Sequence, residues 1–300
     1  MFIELHGNQM MGQIIAGFTG LAMVGGVAAM MKADPGFPAG PAADLVSLPG
    51  GSVIYRLPGE YLADGRPVDA PLETGTVRPL RVMRYQVTNG QYARCVEAGV
   101  CDKAATRGGD GVPVTGVSFD DAQAYAKWLT RRTGYRWRLP SDREWAYLAG
   151  ERYKDDAIGY SSGSSDPSAA WLARYRSLSA EARPADPAPK PPGHYGANRF
   201  GIQDLGGNVW EWTTTCYLRV RVDATGGEIG STENCGVLVA EGRHRSYMTA
   251  FVRDPKTGGC AVGTPPDNLG FRLVRERLIP FTGDWVAYWA GRLFSRANGV

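Results

Sequence analysis

Asp204-Leu205-Gly206-Gly207-Asn208-Val209-Trp210-Glu211-Trp212 is the stretch on which the reading of this chain turns. A glycine-rich turn leads into a run where two indoles alternate with a carboxylate. Successive side chains of a strand point to opposite faces, so Trp210 and Trp212 share one face and Glu211 takes the other. A carboxylate held there, beside Asp204 and the carbonyls of the turn, offers the hard oxygen ligands that calcium takes. The alternative is a carboxylate that pairs with an arginine or caps a turn.

Upstream stands Asn198-Arg199-Phe200-Gly201-Ile202, and further back Arg138-Leu139-Pro140-Ser141. Tyr135 to Leu139 reads as a strand, stopped by Pro140 because proline cannot continue a hydrogen-bonded ladder. Ser141 with Glu144 three residues on is a capping box, opening a short helix that turns Trp145 and Leu148 inward. The strongest helix pattern lies just before. Ser118 caps it, Asp120 and Asp121 favour the positive end of its dipole, and Ala122, Tyr125, Trp128 and Leu129 form one apolar face before Gly134 ends it. Thr88-Asn89 caps another helix, following an alternating run from Arg81 to Val87. Leu45 to Val77 holds short β-like runs broken by Pro and Gly. Gly159 to Ser168 and Pro184 to Gly193 are loop material. The stretch from Thr213 to Gly242 is weakly patterned, Gly270 to Arg275 reads as a closing strand, and no internal repeat is visible.

Composition narrows the class. Lys and Arg number 33 against 30 Asp and Glu, a net charge of +3, and no basic block stands out, which gives no case for nucleic-acid binding. Forty Gly, 20 Pro and 8 Trp describe many turns around a few large aromatic anchors, not a helical bundle. Ile14 to Met31 is uncharged for 18 residues. As a helix it rises roughly 27 Å, close to the hydrocarbon thickness of a bilayer, and it has no polar face. The segment before it lacks the basic n-region of a signal peptide and no clean small-residue cleavage site follows, so an uncleaved anchor is expected. The expected organisation is an N-terminal segment 1–13, an anchor or signal 14–31, a linker 32–44, one domain 45–276 and an amphipathic tail 277–300 that docks on the domain, or alternatively on the membrane surface. Cys95 and Cys101 bracket a short loop, and Cys216 and Cys235 flank a Gly/Thr-rich excursion. In an oxidising compartment these pair locally, leaving Cys260 over, with a pairing of Cys260 to Cys216 or Cys235 still open.

Three segments, in this order and spacing, resemble the formylglycine-generating enzyme (sulfatase-modifying factor) family. They are Pro113-Val114-Thr115-Gly116-Val117-Ser118-Phe119-Asp120-Asp121-Ala122 running on through Trp128 to Arg138-Leu139-Pro140-Ser141 and Glu144-Trp145; Asn198 to Trp212; and Asn268-Leu269-Gly270-Phe271-Arg272. The resemblance covers about residues 45 to 276. It implies a C-type-lectin-related α+β fold, low in regular secondary structure. It also implies a structural calcium bound by the side chains of Asp204 and Glu211 and the carbonyls of Gly207 and Val209. The family's other calcium site falls on Ala169-Ala170-Trp171, which lacks the needed Asn.

The family's oxidase chemistry rests on two cysteines around a His-Arg-Ser-Tyr stretch that bind copper, and soft thiolates suit Cu(I). Here the stretch reads Arg243-His244-Arg245-Ser246-Tyr247-Met248. The frame is present, but Arg243 and Met248 hold the cysteine positions. Copper and formylglycine-generating activity are therefore not expected. His6, His194 and His244 stand too far apart in sequence for the iron site of the ergothioneine-pathway relatives. His244 remains a candidate general base with Ser246 or Tyr247 beside it, against the plainer reading of an inherited polar core residue. Two functions follow from the resemblance. One is an exported, membrane-anchored binding or accessory protein with a protein or peptide partner in the periplasm, similar in layout to the accessory proteins of copper nitrite reductase in denitrification. The other is a periplasmic oxidase with altered metal chemistry acting on a peptide or siderophore, for which Cys260 is the spare thiol.

Overall fold

The computed structural model describes residues 44–157, 188–257 and 268–277, with isolated positions at 159, 166, 168–169, 172–173, 175–176, 259–260, 286 and 289. The apolar run Ile14–Met31, the linker before Asp44, Ala170-Trp171 and nearly all of the expected C-terminal tail lie outside the described residues. Among those described, no helix is long and apolar enough to cross a membrane.

In chain order the strands are β1 (Leu45–Leu48), β2 (Gly51–Arg56), β3 (Glu60–Ala63), β4 (Arg66–Val68), β5 (Leu72–Val77) and β6 (Leu80–Met83). Helices α1 (Asn89–Glu97) and α2 (Phe119–Thr133) follow, then β7 (Tyr135–Arg138) and α3 (Asp142–Ala149). The chain continues with β8 (Trp210–Val222), β9 (Glu228–Glu241), β10 (Arg245–Thr249), β11 (Gly259–Cys260), β12 (Leu269–Gly270) and β13 (Val274–Arg277). The result is a mixed α+β fold with little helix and many short strands, as expected.

All three helix starts carry reciprocal capping boxes, at Thr88 with Gln91, Ser118 with Asp121 and Ser141 with Glu144. Each box satisfies two backbone groups that a helix end leaves open. Helix α2 stops at Gly134, whose φ of 71° is a left-handed cap that a side chain would resist. The chain then reverses directly into β7. Thr130 of α2 reaches over the free edge of that strand, its hydroxyl accepting from the Trp137 backbone N–H at 2.9 Å.

A four-stranded antiparallel sheet runs in the order β1-β6-β13-β7. Its inner face places Val46, Val82 and Val274 in one register row. Trp145 and Leu148 of α3, with Ile202 and Leu205 from the turn after residue 198, close over that face. Burying each such side chain contributes roughly 1.5–3 kcal/mol. A larger sheet runs β11-β10-β9-β8-β3-β4, with β12 added in parallel to β8, and β2 pairs with β5 alone. Tyr92, Tyr125 and Phe271 pack ring on ring between the helices and the β12–β13 connection.

Two regions depart from the sequence reading. Thr213 to Gly242 contains the two longest strands of the molecule, β8 and β9, paired as a hairpin. Its pattern is weak because the outer half of β9 is exposed on both faces, so no alternation of apolar and polar residues is imposed there. The closing strand is also two strands. Leu269–Gly270 joins β8, and Val274–Arg277 joins the other sheet, with Phe271-Arg272-Leu273 crossing fully buried between them.

Both expected disulfides are present, Cys95–Cys101 and Cys216–Cys235. The second bridges β8 to β9 and closes the alternative in which Cys260 partners either cysteine. Cys260 itself lies in β11 opposite Tyr247.

Candidate functional site

The residues that would carry chemistry lie where β9 turns into β10, over Trp210 at the start of β8. Gly242 makes the turn possible. A Cβ there would sit 2.5–2.6 Å from the Trp210 ring, so only glycine lets the backbone lie against the indole. The Trp210 Nε1–H donates to the carbonyl of His244 at 2.9 Å, and the imidazole meets the indole edge-on at 5.4 Å. The Arg243 guanidinium lies over the same indole, 5.1 Å from its centre. A cation over a tryptophan face is attracted by the ring's negative centre. Trp210 thus organises both Arg243 and His244.

The three candidate catalytic groups do not form a relay. The Nδ1 of His244 is 3.0 Å from the carbonyl of Arg245, and since a carbonyl only accepts, Nδ1 carries a proton and donates it there. Ser246 is fully buried, and its hydroxyl has no hydrogen-bond partner among the described residues. Tyr247 alternates to the other face of β10. Its hydroxyl accepts from the Gly59 backbone N–H at 2.6 Å, and burial pushes its pKa above the ordinary tyrosine range. A hydroxyl bound in this way and held protonated is a strut between β10 and the β2–β3 turn. Met248 is wholly buried within the sheet, opposite Leu238 on β9 and Gly259 on β11.

Arg245, passed over in the sequence, is the centre of the largest charged cluster. Its side chain is almost fully buried and bonds Glu241 at 2.9 Å, Asp142 at 3.1 Å and Asp156 at 3.0 Å. It also donates to the carbonyls of Arg56 and Leu57. Three carboxyl groups around one guanidinium leave an excess of negative charge in a site that excludes water. Burial first, then the neighbouring Asp142, drives the Glu241 carboxyl well above its ordinary value, although Arg245 opposes this. Asp156 is raised by burial too. The cluster therefore holds a proton to higher pH than free carboxyl groups would. No motif flags it, because Asp142 and Asp156 lie about a hundred residues before Glu241 and Arg245.

The stretch 198–212 forms a second polar centre. Asn198 donates to the carbonyls of Leu148 and Ala149 at the end of α3, and accepts from the N–H groups of Phe200 and Ile202. Asp204 holds a left-handed backbone (φ 62°), and its two oxygens accept from the backbone N–H groups of Gly193 and Tyr195 at 2.6 and 2.8 Å. Glu211 is completely buried. Arg272 grips it with two bonds of 2.6 Å, while Trp145 Nε1 donates at 3.0 Å and Gln86 Nε2 at 2.8 Å.

A family profile described as the sulfatase-modifying factor enzyme 1-like domain matches residues 31–277. The chain belongs to the formylglycine-generating enzyme family. Among curated relatives, the formylglycine-generating enzyme of Mycobacterium tuberculosis is 31% identical over 250 residues, covering 60% of this chain and 77% of that protein. The inactive C-alpha-formylglycine-generating enzyme 2 of Bos taurus is 24% identical over 288 residues, covering 78% and 88%. The solved structure of PvdO from Pseudomonas aeruginosa aligns over 77% of this chain and 94% of its own, with 22% identity and a TM-score of 0.48.

Against the family's metal chemistry the residues of this chain fit poorly. The calcium expected at Asp204, Gly207, Val209 and Glu211 fits the hydrogen bonds found there poorly. Glu211 spends both oxygens on four donors, and Asp204 spends both on backbone N–H groups. What remains is the two carbonyls of Gly207 and Val209 and one lone pair on each Asp204 oxygen, short of the six to eight oxygens calcium takes. The carboxylate paired with an arginine is the arrangement found. At the copper positions, Arg243 brings a cation stacked on Trp210 and Met248 a single buried thioether, so neither supplies a thiolate. Among the described residues, the one group of ligand atoms close enough to converge on an ion is Cys216, Glu233 and Cys235. Its two sulfurs are already joined to each other, leaving one carboxylate.

Proposed function

We propose that this chain is a non-catalytic binding or accessory protein of its family, working outside the cytoplasm and held at the membrane by Ile14–Met31. One observation carries the non-catalytic part: where the oxidases need two thiolates, this chain has Arg243 packed on Trp210 and Met248 sealed in the sheet. Two disulfides support an oxidising compartment. The partner is a protein or peptide, with a periplasmic copper nitrite reductase as the specific proposal, resting on the resemblance in layout. A relative that bears the name "inactive" supports a non-catalytic role within this family.

The test uses the purified full chain. It is incubated with copper, oxygen and a cysteine-bearing peptide, while oxygen uptake, bound copper and peptide mass are followed. The expected result is no uptake, no stoichiometric copper and an unmodified peptide. Copper binding with oxygen consumption would overturn the reading in favour of an oxidase with altered chemistry. Binding to a purified copper nitrite reductase, measured by interferometry, tests the partner separately, and no binding would remove it.

A further inference from the structure

Several arginines that reach the surface of this fold have an acid beside them: Arg84 has Asp44, Arg219 has Glu60 and Arg253 has Asp121. The outer face of the four-stranded sheet gathers three that do not. Across β6 and β13, Arg81 stands opposite Arg275, and across β13 and β7, Arg275 stands opposite Trp137 and Arg277 opposite Tyr135. Residues opposite one another share a face. The acid of β13, Glu276, points to the other side, where Arg136 and Arg138 take it. Among the described residues, Arg81, Arg275 and Arg277 have no salt-bridge partner. The Arg275 guanidinium lies 4.2 Å from the centre of the Tyr135 ring and 5.9 Å from that of Trp137. Burial, and with it the like charge of Arg81, leaves the Arg275 pKa below the ordinary arginine value, although Tyr135 opposes this. Arg81, Arg277 and Tyr135 are exposed.

The same sheet contains both the first and the last strand of the domain. Residues 32–44, which separate β1 from the apolar run Ile14–Met31, reach at most roughly 45 Å when fully extended. Strand β13 leads into the segment bearing Trp285, Tyr288 and Trp289. Arginine beside tyrosine is the chemistry of a membrane–water interface, where cations meet phosphates and aromatic rings sit at headgroup level. We propose that this face rests on the anionic headgroups of the bilayer that holds the chain, with Arg81, Arg275 and Arg277 on phosphates and Tyr135 among them. The proposal rests on the anchoring described above and adds the orientation of the domain.

Each arginine near an anionic surface strengthens contact roughly fivefold, so three give on the order of a hundredfold at low salt, screened away at high salt. The full chain is reconstituted into vesicles of phosphatidylcholine alone or of phosphatidylcholine with phosphatidylglycerol, and arginine labelling by phenylglyoxal is timed by mass spectrometry. With phosphatidylglycerol, labelling of Arg81, Arg275 and Arg277 should slow by roughly tenfold or more and recover in high salt. The exposed Arg94 serves as the reference. Equal rates in both vesicles overturn the proposal. So does protection by added polyglutamate without protection by phosphatidylglycerol, which would make the face a site for acidic polypeptide. Failure of the anchoring itself reads differently: the chain would not sediment with neutral vesicles in the first place.

Discussion

The pair Glu211–Arg272 is the sharpest test of the structure, because the same carboxylate has two incompatible readings. Neither side chain is measurably exposed, and the pair is joined by two bonds of 2.6 Å. Arg272 further donates to the carbonyls of Met83, Arg84 and Gln203, tying β6, the 198–205 turn and the β12–β13 crossing together. Replacing Glu211 with Ala strands a buried guanidinium and frees two further donors, on Trp145 and Gln86. Removing one partner of a buried pair costs about 3–5 kcal/mol. Natural domains have about 5–15 kcal/mol in total, so the variant should be marginal. At this size the loss lowers Tm by about 10 °C or more. Arg272→Met should cost about as much, whereas the double change to Met at both positions should be less destabilised than the sum of the singles, since no buried charge remains. Urea melts with calcium and with chelator provide the assay. The expected loss is the same in both, and wild-type stability does not respond to calcium. A wild-type protein stabilised by calcium, with that gain abolished in Glu211→Ala, would refute the reasoning and restore Glu211 as a ligand.

Four further outcomes follow from the geometry. Glu241 holds its proton above the ordinary 4.5, so the folded state binds more protons than the unfolded chain. Stability from this group therefore falls as pH rises from about 4.5 through the folded value, and Glu241→Gln should flatten the pH dependence of the urea midpoint over that range; an unchanged slope would place the proton elsewhere. Glu144, held low by Arg138 and Ser141 against its burial, acts with the opposite sign, its contribution being lost as pH drops below the carboxylate range. Reducing Cys216–Cys235, which spans 19 residues, should cost about 3 kcal/mol and the shorter Cys95–Cys101 loop nearer 2, read from urea melts with and without reductant. Gly242→Ala drives a methyl into Trp210 and should destabilise by about 1–3 kcal/mol, with a shift in tryptophan fluorescence as the indole leaves the His244 carbonyl; unchanged fluorescence would mean that the turn relaxes without moving Trp210.

Local rules were legible in the chain wherever neighbours in sequence do the work. The capping boxes at Ser118 and Ser141, the stop at Gly134, the strand-to-helix switch at Pro140 and both disulfide loops involve partners close along the backbone. The absence of thiols at 243 and 248 is likewise a property of the letters alone, and the function proposed here rests on it. Other outcomes depend on distance. Nothing near Glu211 in sequence announces that Arg272, sixty-one positions on, will meet it, and this decides between a cation site and an ion pair. Nor does any local pattern bring Asp142 and Asp156 to the neighbouring pair Glu241 and Arg245, whose charges meet theirs only because the fold buries them together. The sequence by itself determined the family, the local punctuation and the missing sulfur. Which carboxylates are spent on arginine, which keep a proton and which arginines are left facing outward was decided by tertiary structure, since desolvation and pairing act between side chains that the chain order keeps apart.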